Sequence, residues 1–170
     1  MTTPHLRTRR LDLPPLTVDD AAAMTLVLAD PALYAFTGGE PPDEATLRRR
    51  YARLVAGPAD SSREAWHNWI VRLGEGGTVV GTVQSTIYPA KGEAEIAWVI
   101  GTRWQGQGYA TEAAAALVDW LAATGTSAVI ALIHPDHPAS ATVARNNGLD
   151  PTDELVDGER VWRRVLAEAG

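Results

Sequence analysis

The stretch Arg103-Trp104-Gln105-Gly106-Gln107-Gly108-Tyr109-Ala110 follows an apolar segment that ends at Ile100 and opens an alanine-rich segment that runs to Ala123. The first segment alternates with the period of a strand, and the second has the spacing of an amphipathic helix. Glycine before a helix can adopt positive φ and lets the backbone approach a ligand closely. The first amides of a helix have no partner within it and carry roughly half a positive charge. We therefore expect this turn to cradle a diphosphate, although the same glycines can also serve only to stop a strand and start a helix.

Outward from this turn, the patterns along the chain predict a mixed α/β fold. Period-two alternation and turn residues predict strands over Arg9–Leu13, Trp69–Leu73, Thr78–Tyr88, Ala94–Ile100, Thr152–Val156 and Arg160–Leu166, and an almost wholly apolar run predicts a strand covered on both faces over Ser127–Ile133. Capping residues and apolar spacing predict helices from Thr17 or Asp19 to Ala29, from Asp43 to Val55, from Tyr109 or Ala110 to Ala123 and from Ser140 to Asn147. The order of elements favours one domain over residues 1–170.

The composition narrows the possible functions. A chain of 170 residues suffices for one compact domain and is short for two. The net charge of −6 disfavours binding to nucleic acid and weakly favours a cationic amine as substrate. No apolar run approaches the roughly 18 residues of a membrane span. Because the basic start Met1–Arg10 has no apolar stretch behind it, we expect no secretory signal and no membrane contact, and therefore a cytoplasmic protein.

Other kinds of ligand site are poorly supported. The chain lacks the Gly-Lys-Ser/Thr of a P-loop and a GxGxxG in a βαβ unit near its start. It has no cysteine, which excludes thiolate zinc sites and a cysteine nucleophile. Its four histidines do not have metal-ligand spacing, so we expect no metal: His5, His67, His134 and His137.

Three segments together resemble the GNAT acetyltransferase superfamily. Gln105-Gly106-Gln107-Gly108-Tyr109-Ala110 is similar to its Q/R-x-x-G-x-G/A signature, and Glu95–Ile100 resembles its fourth strand. Ser140–Gly148 resembles the region after the fifth strand in the branch of the ribosomal-protein N-terminal (RimJ/RimL-like) acetyltransferases. The resemblance covers essentially the whole chain. It implies a mixed, mostly antiparallel sheet of six to seven strands, flanked by about four helices and splayed between the fourth and fifth strands.

The resemblance also implies that acetyl-coenzyme A (acetyl-CoA) is the co-substrate. Its diphosphate would lie on the residues from Gln105 to Ala110, and its pantetheine amides would pair with the backbone at Trp98, Val99 and Ile100. His137 stands where the family usually has an asparagine that bonds pantetheine. An imidazole can replace that amide in part, can titrate near neutral pH and transfer a proton, or can be an ordinary loop residue.

Two residues are candidates for the proton transfers of acetyl transfer. Glu95 is our candidate general base, and its alternatives are a role in orienting the substrate or a place on the solvated sheet face. Ser140 is predicted to cap the short helix, and the resemblance implies that it also helps to protonate the leaving thiolate. A backbone amide near Val99 or Ile100 is the expected oxyanion donor.

The predicted function is therefore transfer of an acetyl group to a primary amine of a protein N-terminus or a small molecule, by direct attack on the thioester. The alternative is a catalytically silent acyl-CoA-binding module with the same fold. A homodimer is possible. Lys91, Arg103 and Arg145 are either phosphate partners or ordinary surface charges, and Tyr34, Phe36 and Trp66 belong either to an acceptor wall or to the core.

Overall fold

The computed structural model describes residues 1–166, which form a sheet of eight strands flanked by four helices. The strands are β1 (Leu6–Arg7), β2 (Leu11–Leu13), β3 (Ala65–Leu73), β4 (Val79–Tyr88), β5 (Glu93–Ile100), β6 (Ala128–Ile133), β7 (Asp150–Val156) and β8 (Glu159–Val165). The helices are α1 (Ala21–Val27), α2 (Glu44–Ala56), α3 (Tyr109–Ala123) and α4 (Pro138–Asn146). The order in the sheet is β1-β2-β3-β4-β5-β6-β8-β7, and only β5 and β6 are parallel neighbours. The predicted mixed, mostly antiparallel architecture is confirmed, with eight strands instead of six to seven.

The additional strand arises near the start of the chain. We predicted one strand over Arg9–Leu13, but the chain reverses direction between Arg7 and Leu11. Thr8 closes the turn: its amide donates to the Leu11 carbonyl at 2.9 Å, and its Oγ1 accepts from the Leu11 amide at 3.0 Å. Residues 7–10 are all polar and show no alternation, so the sequence pattern does not reveal the short strand that precedes the turn.

Buried side chains lie on both faces of the sheet. On one face, α3 packs against the strands through a cluster that includes Ala94, Ile96 and Leu117. On the other face, α1 and α2 cover β3 and β4 through a second cluster that includes Met24 and Ile70. These two helices leave that face of β5 and β6 largely uncovered. The uncovered face is where side chains of β5 can meet a ligand.

The strands β5 and β6 separate along their length. Their paired residues are Glu93 with Ala128, Ala94 with Val129, and Glu95 with Ile130. Beyond these pairs, β5 continues beside β4 and β6 continues beside β8. One edge of β5 is therefore without a neighbouring strand from Ile96 to Ile100, which confirms the predicted splay between the family's fourth and fifth strands.

The helices lie close to their predicted positions, with two differences. The helix predicted to reach Ala29 ends at Val27, because the chain turns at Asp30 into a 3-10 helix over Pro31–Tyr34. The last helix begins at Pro138 instead of Ser140, in keeping with the preference of proline for the first helical position. None of the helices in residues 1–166 has the length and apolar character needed to cross a bilayer.

Candidate active site

The turn between β5 and α3 presents a row of unpaired backbone amides. Gly106 and Gly108 have φ of +77° and +81°, which side-chain-bearing residues rarely adopt, and Gly108 is the N-cap of α3. The first helical bond runs from the Glu112 amide to the Gly108 carbonyl at 3.0 Å. Within residues 1–166, the amides from Gly106 to Thr111 donate to no protein acceptor. At the positive end of the helix dipole, these amides are donors of the kind that bind an anion.

A hydrogen-bonded network lies behind this turn. Arg10, in the turn between β1 and β2, donates from Nη1 to the Gln107 carbonyl at 2.9 Å and from Nε to Glu112 Oε1 at 2.8 Å. The guanidinium carbon lies 4.6 Å from the centroid of the Tyr109 ring. Thr8 Oγ1 and the Arg10 amide donate to Glu112 Oε2 at 2.5 and 3.1 Å. Partial burial alone would raise the pKa of Glu112, but these hydrogen bonds together lower it below its ordinary value.

Sequence reasoning missed Arg10 and Glu112 as parts of this site. They are 102 positions apart, and each has an ordinary local explanation as a basic turn residue or an acidic residue in a first helical turn. The one sequence feature that could have pointed to Arg10 is its place in a basic cluster with Arg7 and Arg9. The sequence alone does not connect this cluster to the glycine turn.

Gln105 joins the turn to the end of β5. Its side-chain Nε2 donates to the Ile100 carbonyl at 2.9 Å, and its backbone amide donates to the Thr102 carbonyl at 3.3 Å. The backbone N–H and one side-chain N–H are thus bonded within the protein, where Gln105 supports the turn. Its predicted contact with a ligand stays a prediction.

The free edge of β5 presents alternate residues to the opening. The Gly101 amide donates to the Val80 carbonyl on β4 at 2.8 Å, and a side chain at Gly81 would collide with the Val99 carbonyl. Because backbone groups of successive residues point to opposite sides of a strand, those of Trp98 and Ile100 face the opening. Of the three residues predicted to pair with a ligand through their backbone, Val99 has its backbone turned towards β4 instead.

Glu95 lies on the uncovered face of the sheet. Its neighbours Ala94 and Ile96 are buried against the α3 side, so alternation directs the Glu95 side chain to the opposite face, beside Thr86 on β4 and Ile130 on β6. The residue is half-buried. Burial, and to a smaller extent the charge of Glu159, raises the pKa of its carboxyl above the ordinary value. A raised pKa makes this carboxylate a better proton acceptor.

Ser140 is at the start of α4 but does not cap it. His137 is the N-cap residue, and Ser140 is the third residue of the helix, so the predicted capping role was wrong. The reason is that Pro138 starts the helix two residues earlier than expected. Ser140 is half-buried and follows the end of β6 on the α3 side of the sheet. Glu95 and Ser140 therefore border the opening from opposite faces.

His137 is part of an aromatic cluster above the end of β6. Its ring stacks on Phe36 with a centroid distance of 4.5 Å and an interplanar angle of 15°, and Phe36 also lies 5.4 Å from the His134 ring. Burial and the neighbouring His134 lower the pKa of His137. These effects favour the neutral imidazole, in which one nitrogen donates and the other accepts. The segment that contains Phe36 thus reaches across to the turn between β6 and α4.

The remaining candidate residues for phosphate binding and for the acceptor wall lie in different parts of the structure. Lys91 precedes β5, whereas the glycine turn follows it, so the two are separated by the length of the strand, about 25 Å. Arg103 and Arg145 lie over the rings of Trp104 and Trp162, at 5.6 and 5.1 Å. Trp66 is half-buried on β3. Lys91 is thus too far from the turn to reach an anion bound there.

Comparisons with known proteins agree with this geometry. The family model of the acetyltransferase (GNAT) domain matches residues 10–150. An acetyltransferase from Agrobacterium tumefaciens is similar in structure with a TM-score of 0.74 and 30% sequence identity, over 96% of this chain and 95% of that chain. No curated protein is significantly similar in sequence.

Two more distant structures share the fold. RimL, a ribosomal alpha-N-protein acetyltransferase in complex with coenzyme A, has a TM-score of 0.78 at 15% identity, over 96% of this chain and 98% of its own. MccE, a microcin self-immunity acetyltransferase in complex with acetyl-CoA and AMP, has a TM-score of 0.76 at 14% identity, over 94% of each chain.

Proposed function

The chain belongs to the GNAT acetyltransferase family, and from this premise we propose that it is an acetyl-CoA-dependent N-acetyltransferase acting on a primary amine. The observation that carries the proposal is the row of unpaired amides from Gly106 to Thr111 at the positive end of α3. These groups suit a diphosphate, and the open edge of β5 beside them suits the amide groups of a pantetheine chain.

An amine that arrives as a cation must lose one proton before its nitrogen can attack and a second proton after the attack, and the negative oxygen of the tetrahedral intermediate must be stabilised. Acetyl-CoA supplies an acetyl group as a thioester; the amine nitrogen forms a bond to the carbonyl carbon, and the carbon–sulfur bond then breaks. Glu95 is our candidate to accept the amine proton, directly or through water, because its pKa is raised and it lies on the uncovered face. The amide of Trp98 or Ile100 is the candidate oxyanion donor, since the backbone of Val99 faces β4.

Ser140 and His137 are the candidates on the other side of the opening. Ser140 would donate a hydrogen bond to the leaving thiolate and pass it a proton, which the hydroxyl regains from water. His137 would replace the usual asparagine as a hydrogen-bonding partner of pantetheine, a role that its largely neutral ring supports. We infer that it does not act as a cationic acid, because burial and the neighbouring His134 lower its pKa and so disfavour the charged form.

The acceptor is proposed to be a protein N-terminus or a small amine. Glu159 lies near enough to Glu95 to raise the pKa of the Glu95 carboxyl. The pKa of Tyr88 is raised mainly by burial, and the charges of Glu95 and Glu64 raise it further. This local negative potential favours an amine that arrives as a cation. RimL is named as an alpha-N-protein acetyltransferase, which supports a protein N-terminus as the acceptor.

We further propose that the chain forms one functional domain and works in the cytoplasm. A homodimer remains a prediction.

A thiol-release assay tests the proposed activity. The purified chain is mixed with acetyl-CoA and a panel of peptides with free N-termini and small primary amines, and free coenzyme thiol is measured over time. We expect release that depends on at least one amine. Coenzyme binding without amine-dependent release from any member of a broad panel would favour the silent binding module instead.

A further inference from the structure

We propose that Arg10 is a positioning residue for the coenzyme: it holds the Gln107–Gly108 peptide so that the free amides face the ligand, and it neutralises Glu112 beside the diphosphate site. The inference rests on the proposed function, since it concerns how tightly the chain holds acetyl-CoA. The side chain comes from the turn between β1 and β2, outside every motif that sequence reasoning assigned to coenzyme binding.

The first part of the argument is the direction of one peptide group. Arg10 Nη1 donates to the Gln107 carbonyl at 2.9 Å. In a planar trans peptide the carbonyl and the following N–H point in opposite directions, so the Gly108 N–H is directed away from Arg10. This arrangement also turns the negative end of the Gln107 carbonyl away from the row of amides. Gly108 has φ of +81°, and because glycine can populate both signs of φ, the bond from Arg10 narrows the orientations open to this peptide.

The second part is charge. Glu112 is in the first turn of α3, where a carboxylate would repel an approaching diphosphate. Arg10 Nε donates to this carboxylate at 2.8 Å, and its Nη2 lies only 3.3 Å from where a Cβ on Gly108 would be. The guanidinium therefore lies between the acidic side chain and the glycine turn. Removing it would leave an uncompensated negative charge next to the anion.

The third part is the rigidity of the contact. The Arg10 guanidinium lies over the Tyr109 ring at 4.6 Å, and Glu112 is held in addition by Thr8 and by the Arg10 amide. A planar guanidinium reaches a carbonyl, a carboxylate and a ring at once, whereas a lysine ammonium can replace the charge but not this geometry. The short turn between β1 and β2 thus places one arginine behind the proposed coenzyme site.

The test compares coenzyme affinity and turnover in matched variants. The dissociation constant for coenzyme A is measured by titration calorimetry, kcat and KM for acetyl-CoA by thiol release, and the unfolding temperature of the free protein by calorimetry. The variants are Arg10→Ala, Arg10→Lys, Arg10→Ala combined with Glu112→Gln, and Arg9→Ala. Arg9 is the control, because it is in the same turn, is exposed and takes no part in these contacts.

We expect Arg10→Ala to raise Kd and KM by about tenfold, as loss of one charge-assisted hydrogen bond commonly does, with kcat at saturation nearly unchanged. Arg10→Lys should be intermediate, and Arg9→Ala should bind like the wild type. The added Glu112→Gln change should restore part of the affinity lost in Arg10→Ala, because it removes the repelling charge. If Arg10→Ala does not fold, Arg10→Lys against Arg9→Ala gives the same comparison.

Two results would overturn the inference while leaving the proposed function intact. One is an Arg10→Ala variant that binds coenzyme A like Arg9→Ala. The other is a loss of kcat and unfolding temperature with unchanged Kd, which would make Arg10 a general support of the fold. Failure of the wild-type chain itself to bind coenzyme A would overturn the proposed function, and this inference with it.

Discussion

Glu95 combines two properties that the reaction needs in one residue. Its place on β5 directs it to the uncovered face, and half-burial raises its pKa so that it holds a proton more readily than an exposed carboxylate does. Strand alternation alone predicted the face. The raised pKa depends first on burial in the folded sheet and then on the charge of Glu159, which lies on another strand, so it was not visible in the sequence.

Replacing Glu95 by glutamine is expected to lower kcat by about a hundredfold, the usual contribution of a general base. The affinity for coenzyme A should not change, because the residue is remote from the glycine turn. Glu93→Gln is the matched control: it changes the same residue type on the same face, where Glu93 instead forms an ion pair with Arg163. Full activity of Glu95→Gln would show that the base is elsewhere.

The pH dependence of kcat is a second test of Glu95 as the general base. A base works only when deprotonated, so the rate falls as pH drops through its pKa. Since burial raises the pKa of Glu95 from the ordinary 4.5, the acid-side fall should occur at higher pH than for an exposed glutamate. The fall should disappear in Glu95→Gln, measured with saturating amine from pH 5 to pH 9; a fall that is unchanged in this variant contradicts the assignment.

Gly108 is the residue whose replacement should act most directly on the coenzyme site. A valine at φ +81° is strained, and its side chain would also meet Arg10 at 3.3 Å and fill space beside the free amides. We expect Gly108→Val to lose measurable coenzyme A binding in calorimetry. Gly125→Val is the control, because Gly125 has φ of +84° with open space around it at the other end of α3. Equal binding losses in both variants would point to strain alone.

At the scale of elements, most of the fold could be predicted from local patterns. The helix α3 follows from its apolar spacing, and the strands β3 to β6 follow from alternation and turn residues. Two boundaries were not predictable in the same way. Thr8 closes a turn just before the predicted strand Arg9–Leu13, and Pro138 starts α4 before the capping serine that the sequence suggested. In each case one local interaction decides between two patterns that look alike.

The splayed pair of β5 and β6 makes a prediction for hydrogen exchange. In the free protein the amides of Trp98 and Ile100 face the opening, whereas that of Val99 faces β4. Adding acetyl-CoA should slow exchange at Trp98 or Ile100 and across Gly106–Thr111, because pantetheine and the diphosphate cover these amides. The Val99 amide should be protected already and change little. Slowing confined to Val99 would show that the coenzyme does not use this edge.

For the whole molecule, the candidate site draws on parts of the chain that lie far apart in sequence. Its motif residues from Glu95 to Ala110 and around His137 were found by local spacing and by resemblance. Arg10 and Phe36 approach the same region from the first forty residues through contacts that no local pattern encodes. The resemblance therefore identifies the segments that form the candidate site, and the tertiary structure identifies the distant side chains that contact these segments.

The most direct test of the account is a crystal structure of the chain with acetyl-CoA. We predict that oxygens of the diphosphate lie about 2.7–3.2 Å from backbone nitrogens between Gly106 and Ala110, with the pantetheine chain between β5 and β6. A bound molecule whose diphosphate lies elsewhere, with those amides facing solvent, would contradict the account.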